Sequence, residues 1–391
     1  MKILIATESY YPNISGVAVF SHNLARKMAE NGHVVHVVAP SPKLNPYTEE
    51  IEGVFVHRLA SKINPFRKGY YISKSPFFKI RELMEEIRPD IIHLQDPAAI
   101  SLATLMRARK MKIPVVVTNH FALDYVTSYL PLLRPIHPLI RFFLGTYLGW
   151  LYNRADVLTC PSQKIAEYFI SRRLKSQPIV ISNGVDLGRF MPEYGDRKSI
   201  LSRWKIDQSK PIILYVGRLD VDKKVSLLVQ AMSTILQKTA AHLILVGEGK
   251  ERENLQKIAK ELGMAKSVTF TGLIANGDLV LPKIYQDATL FVNPCPIEAQ
   301  GISVLEAMAS GLAVVAANSG ALPEVIKSGQ NGYLFEPNNQ EDLAQKISSI
   351  LNEPQKIKKM GQKSLEIIES HKVENTFSKF ETIYKSLINN K

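Results

Sequence analysis

Two short stretches of this chain carry residues able to hold a charged ligand. The first runs Asn293-Pro294-Cys295-Pro296-Ile297-Glu298-Ala299-Gln300-Gly301-Ile302-Ser303-Val304-Leu305-Glu306. An apolar run ends, a loop carries Glu298, and a helix is expected to start near Gly301 with Glu306 about one turn inside it. A glycine at a helix N-terminus leaves backbone N–H groups open to an anion. Carboxylates on either side of such a cradle can accept hydrogen bonds from sugar hydroxyls flanking a diphosphate. Two glutamates alone also fit a solvated loop acid and a surface ion pair. The second stretch, Tyr215-Val216-Gly217-Arg218-Leu219-Asp220-Val221-Asp222-Lys223-Lys224, follows another apolar run. Cations five residues apart, Arg218 and Lys223, can clamp a diphosphate and the charge developing on it. The plainer reading is an exposed charged turn, which suits Lys224 better than Arg218.

The elements that must position these residues follow one rhythm. Strands are expected at Lys2–Thr7, Val34–Ala39, Ile91–Leu94, Val115–Asn119, Val157–Pro161 and Ile179–Ser182. Helices such as Gly16–Asn31, Lys79–Arg88 and Ile100–Met111 fall between them. The continuous Val/Ile/Leu runs suit parallel strands buried on both faces. From Pro211–Val216 the pattern restarts, with strands at His242–Val246, Ser267–Phe270, Leu290–Asn293, Ala313–Ala316 and Gly332–Phe335. Two such series imply an α/β chain of two doubly wound domains. The expected boundaries are 1–182, 183–370 and a closing helical segment 371–391. The first strand lacks a G-x-G-x-x-G turn, which argues against a dinucleotide oxidoreductase. Gly247-Glu248-Gly249 lacks the third glycine and reads as a plain strand-to-helix turn.

Composition bounds the class. With 391 residues, 46% apolar and 22% charged, the chain is no disordered segment or fibre. Two cysteines, Cys160 and Cys295, make neither a disulfide framework nor a zinc pattern, which fits a reducing cytoplasm. The apolar start is too short for a signal peptide, and no apolar stretch is long enough to span a membrane. Net charge is +13, unevenly spread. Residues 1–182 carry 23 Lys and Arg against 13 Asp and Glu, net +10; the remainder carries 26 against 23, net +3. The first half therefore invites an anionic partner.

The Glu298, Gly301 and Glu306 spacing resembles the donor-site signature of glycosyltransferase family 4, retaining enzymes of the two-domain GT-B fold. That family usually has Phe where this chain has Gln300, and Gln300 looks like the branch containing diacylglycerol glucosyltransferases. The resemblance implies two Rossmann-like domains facing across a cleft, with acceptor bound by the first and a nucleotide sugar by the second. It assigns the diphosphate clamp to Arg218 and Lys223, sugar hydroxyls to Glu298 and the ribose to Glu306. Gly16, Gly217, Gly272, Gln300, Gly301 and Ile302 are expected along the donor path. A lone histidine is often structural, but His120 ends a strand where ligands meet an open sheet, and the resemblance places it at the reaction centre. Family members often have Gly where Lys224 stands. Asp220-Val221-Asp222 could be a D-x-D metal motif; lying between two phosphate-binding cations, it is read as a neutralising pair. No metal and no cofactor beyond the nucleotide sugar are expected.

The acceptor is a separate question. Lys62 to Arg81 holds six basic residues, interleaved aromatics and no acid. Arg67, Lys68, Lys74 and Lys79 suit an anionic bilayer, and equally a solvated loop. No nucleic-acid module is present. Phe142–Tyr152, with Trp150, is an uncharged apolar run that reads as lipid contact or as a buried core helix. Taken with these features, the resemblance implies UDP-glucose as donor and a membrane lipid such as diacylglycerol as acceptor, in the cytoplasm at the inner face of the membrane. The alternatives are a mannosyl- or other hexosyltransferase using GDP-mannose or a UDP-sugar on a soluble or polyprenyl-linked glycan, and, in a different class, a non-catalytic nucleotide-sugar binder.

Overall fold

The structure, a computed structural model, describes residues 1–13, 15–65, 69–120, 135–170, 174–192, 199–274 and 278–389. These fall into two compact units: one takes the chain up to Asn183 and again from Asn375, and the other is Gly184–Glu374.

In the first unit the strands are β1 (Lys2–Ala6), β2 (Val34–Pro40), β3 (Tyr47–Ile51), β4 (Val54–Leu59), β5 (Ser61–Ile63), β6 (Tyr71–Ser73), β7 (Ile91–Leu94), β8 (Val115–Thr118), β9 (Val157–Cys160) and β10 (Ile179–Val180). Eight of them form one sheet in the order β10-β9-β8-β7-β1-β2-β4-β3. All neighbours are parallel except β3, which runs antiparallel to β4. Every residue of β7 and β8 is buried, as a strand covered on both faces requires. The hairpin of β3 and β4 escapes a search for apolar runs, because the edge strand β3 has no buried residue. A separate ribbon pairs β5 with β6. The closing helix Val373–Asn389 packs Phe377, Phe380 and Tyr384 into this unit. The Tyr384 hydroxyl lies 2.5 Å from His93 Nδ1, and Glu381 accepts from Asn31 at 2.8 Å.

The second unit has one all-parallel sheet of β11 (Ile212–Val216), β12 (His242–Val246), β13 (Val268–Gly272), β14 (Leu290–Asn293), β15 (Ala313–Ala317) and β16 (Gly332–Phe335), in the order β13-β12-β11-β14-β15-β16. The helical pattern at the chain end resolves into Gln340–Leu351, Pro354–Ile368 and Val373–Asn389, with Pro354 opening the second where its missing N–H costs no bond.

Both sheets reverse their strand order once, between β1 and β7 in the first and between β11 and β14 in the second. A crevice opens at such a point beyond the carboxyl ends of the strands, because the flanking connections leave on opposite faces. Thr7, Glu8, Gln95 and Asp96 follow the first pair of strands. Arg218 and Glu298 lie in the loops that follow the second.

Candidate functional site

The loop after β11 is shaped by its neighbour after β12. Gly217 N–H donates to the Val246 carbonyl at 3.0 Å, and Leu219 N–H to the Glu248 carbonyl at 2.9 Å. A Cβ at Gly247 would run into the Gly217 carbonyl oxygen, so only glycine permits this approach. The pair that reads in sequence as a plain turn is thus the buttress of the Arg218 loop. The Tyr215 hydroxyl closes the loop by donating to the Arg218 carbonyl at 2.8 Å.

Within that loop Arg218 binds Asp222 at 2.8 Å and also Asp220. Both carboxylates of the D-x-D stretch therefore neutralise one guanidinium, and Asp222 is buried. Lys223 turns instead to the second motif, where its Nζ donates to Glu298 Oε1 at 2.6 Å. The Cys295 Sγ lies 3.6 Å from the same ammonium. Burial works against the Lys223 charge, but the Glu298 carboxylate bonded to it helps hold the pKa well above the ordinary lysine value. Burial pushes the Cys295 thiol up to about 12, so it is a neutral contact and no nucleophile. Lys224 has φ +53°, a left-handed conformation at the start of the helix Val225–Leu236. The resembled family often carries glycine there, for which this conformation is free of cost.

Glu298 is fixed from behind: Ala321 N–H donates to its carbonyl at 3.0 Å, and Ser319 Oγ to the Pro296 carbonyl at 2.7 Å. Its Oε2 has no partner among the described residues. Gly301, at φ +83°, opens the helix Ile302–Ala309, whose N-terminus no side chain caps. The N–H groups there remain available to an anion. Gln300 is buried, Ile302 begins the helix, and Gly217 and Gly272 end at their strand edges half-buried. Glu306 is buried inside that helix and accepts from the Tyr285 hydroxyl at 2.8 Å. Burial raises its pKa to about 7, against the pull of the Tyr285 bond and of Arg189. Nothing near Glu306 in sequence marks Tyr285 as its partner; the helix Val280–Asp287 brings it across.

The first unit holds the other assigned residues. His120 Nε2 lies 2.9 Å from Gln95 Oε1, and its ring centroid is 4.9 Å from that of Phe20. Burial depresses its pKa to about 3, so the imidazole is neutral. Gln95 Nε2 is buried without a partner among the described residues. Glu8 accepts from Ser73 Oγ at 2.5 Å and Ser73 N at 3.1 Å, and Asp96 accepts from Thr7 Oγ1 at 2.9 Å and Glu8 N at 2.6 Å. Burial raises both carboxyl pKa values, and Asp96 adds to the rise at Glu8. Gly16 is exposed and starts the helix Gly16–Glu30, capped by Ser15.

The basic-aromatic segment is described only in part. Arg67 and Lys68 lie outside the described residues. Lys74 is exposed, but Lys79 pairs with Glu82 at 2.9 Å and Arg81 with Glu85 at 3.0 Å. Glu82 directly follows the acid-free window and Glu85 stands one turn beyond it, so these acids offset part of its field. The core-helix reading of Phe142–Tyr152 is half right: the helix His137–Tyr152 buries Gly145, Leu148, Leu151 and Tyr152, while Leu139, Phe142, Phe143 and Trp150 are exposed. Among the described residues, no helix is long and apolar enough to cross a membrane, and no group of three or more His, Cys, Asp or Glu could hold a metal.

Two doubly wound domains, the second with a cation cradle at its reversal point, are the GT-B architecture of the glycosyltransferases. Residues 14–189 match the family described as Glycosyltransferase Family 4, and residues 196–366 match Glycosyl transferases group 1. Together these matches take in most of the chain, which belongs to glycosyltransferase family 4. Sulfoquinovosyl transferase SQD2 of Arabidopsis thaliana is 28% identical to it over 94% of this chain and 70% of that protein. Alpha-monoglucosyldiacylglycerol synthase of Streptococcus pneumoniae is 28% identical over 90% of this chain and 78% of that protein. Among solved structures, sucrose-phosphate synthase from Thermosynechococcus elongatus matches 100% of both chains with TM-score 0.83 at 21% identity. Anabaena HepE in complex with UDP and glucose matches 99% of this chain and 100% of its own with TM-score 0.77, also at 21%. At that identity the two structures speak for the fold alone.

Proposed function

We propose that this protein is a retaining, metal-independent hexosyltransferase that moves glucose from UDP-glucose to a membrane lipid such as diacylglycerol. The observation that carries the reading is the 2.6 Å bond between Lys223 and Glu298. It joins the cation loop after β11 to the carboxylate loop after β14, at the point where an open α/β sheet receives its ligand. A diphosphate entering there meets Arg218, Lys223 and the uncapped helix start at Gly301. As the bond from the sugar to the diphosphate breaks, negative charge grows on the phosphate oxygens, and these fixed positive groups stabilise it without reorganising. Glu298 keeps Oε2 for sugar hydroxyls. Glu306 presents its second oxygen to the ribose, while Tyr285 holds the first.

In this reading residues 183–370 bind the donor and residues 1–182 bind the acceptor. His120 is neutral and can line the reaction centre without adding a charge. Glucose and diacylglycerol come from the name of the streptococcal relative, and UDP from the HepE complex. The fixed cations take the place of a metal, and both Asp220 and Asp222 are already engaged by Arg218.

The deciding experiment offers radiolabelled UDP-glucose, other UDP-sugars and GDP-mannose with a lipid extract or with soluble glycans. Transfer from UDP-glucose into the organic phase is expected, with the α anomer seen by proton NMR of the product. Transfer from GDP-mannose, or into soluble glycan alone, overturns the donor or acceptor assignment. Activity should survive EDTA; strict Mn²⁺ or Mg²⁺ dependence abolished by Asp222→Ala overturns metal independence.

A further inference from the structure

We infer that the outer face of the helix His137–Tyr152 is a membrane-docking surface that lies in the plane of an anionic bilayer. The inference rests on the lipid-acceptor reading and adds the surface by which the protein reaches its acceptor. The residues on that face are Ile136, Leu139, Phe143, Thr146 and Trp150, recurring at alternating steps of three and four, with Phe142 beside them. That spacing makes one stripe along an α-helix. Ile136 is 45% exposed, Leu139 54%, and Phe142 and Phe143 63% each. On the opposite side Gly145, Leu148, Leu151 and Tyr152 are buried, while Arg141, nearer the start of the helix, is exposed. A helix apolar on both faces, with one already satisfied by the core, leaves a contiguous apolar surface in water, which marks an interaction site.

Charge identifies the occupant. The stripe ends at Trp150, beside a depression lined by Arg109, Asn153, Arg154 and Lys175. The Arg154 guanidinium stacks over the Trp150 ring at 4.2 Å, and Arg109 reaches Asp156 at 3.5 Å. Three cations thus face one carboxylate at the end of an acid-free helix. A tryptophan between an apolar stripe and a basic depression is the composition of a bilayer boundary, with rings at headgroup depth and phosphates beyond. A second copy of the chain would set these cations against their own kind.

The test uses the full chain. The protein has 2 tryptophans, so Trp204→Phe leaves Trp150 as the single reporter. Phosphatidylglycerol vesicles with brominated acyl chains are expected to quench and blue-shift its emission. Leu139→Ser with Phe142→Ser and Phe143→Ser should weaken vesicle binding in high salt by about tenfold or more. Those residues are exposed, so circular dichroism should not change. Arg109→Ser with Arg154→Ser and Lys175→Ser should weaken binding at low salt and spare the salt-resistant part. Unquenched Trp150 on vesicle-bound protein overturns the inference, as does unchanged vesicle binding by the triple apolar variant. So does loss of a dimer in that variant with vesicle binding intact. Diacylglycerol in detergent micelles separates the two readings. Wild-type inactivity there sinks the acceptor assignment, whereas the vesicle results judge the helix alone.

Discussion

The two strand-order reversals of this protein solve the same geometric problem with opposite electrostatics. At the reversal in the second sheet, Arg218, Asp220, Asp222, Lys223 and Glu298 stand paired as ions. At the reversal in the first sheet the groups are driven towards neutrality. His120 is depressed to about 3, Glu8 and Asp96 are raised, and Gln95 keeps an amide nitrogen with no partner among the described residues. Burial acts at both places. Only where an opposite charge is within bonding distance does the ionised form survive it. Under the proposed function the two regimes would serve the two halves of a glycosyl transfer: a diphosphate needs fixed positive charge, and an uncharged hydroxyl needs a dry polar pocket.

Removing the charges should break this comparison most severely. Arg218→Ala or Lys223→Ala should lower kcat by about 10²-fold or more, while Lys224→Ala should do far less. Equal, mild losses at all three positions, read in steady-state kinetics with saturating donor, would reduce the loop to a charged turn. On the neutral side, His120→Ala should lower kcat by about 10- to 100-fold. Because the imidazole stays neutral above about pH 3, the wild-type kcat profile should show no limb near 6.5 that His120→Ala removes.

Glu306 is the place where the two regimes meet, a buried acid in the charged half. Its folded pKa of about 7 stands above its ordinary 4.5. Between those values the folded state binds more protons than the unfolded, so stability falls as pH rises and stays lower above 7. Glu306→Gln should therefore raise Tm relative to wild type at pH 8 more than at pH 5, by an amount equivalent to roughly 3 kcal/mol at most. Donor KM in the wild type should fall as pH rises through about 7, since the carboxylate is the better hydroxyl acceptor, and Glu306→Gln should flatten that dependence. A KM profile equally steep in the variant would detach Glu306 from the donor. The smallest effect concerns the loop backbone. Lys224→Gly should stabilise by about 0.5–1 kcal/mol through relief of the left-handed φ, less the added chain entropy of glycine. A lower Tm in thermal melts would show that the side chain contributes more than the strain.

Much of this molecule is legible in its sequence. The βα rhythm, its restart near Pro211, and the spacing of Arg218, Lys223, Glu298, Gly301 and Glu306 are local patterns, and local patterns survive in one dimension. The edge hairpin of β3 and β4 is not legible there, because a half-exposed strand lacks a buried run. The pairing of Lys79 and Arg81 is legible, because their partners stand one helical turn further along the chain. Element types, motif chemistry and family follow from the order of residues alone. The folded chain was needed to bring Lys223 to Glu298, 75 residues away. It also set Gly247 against Gly217, gave Glu306 its tyrosine and its raised pKa, and turned one apolar face of the helix His137–Tyr152 to solvent. The reason is common to all four: pairing, burial and exposure belong to neighbours in space, and strand crossovers choose those neighbours from distant parts of the chain.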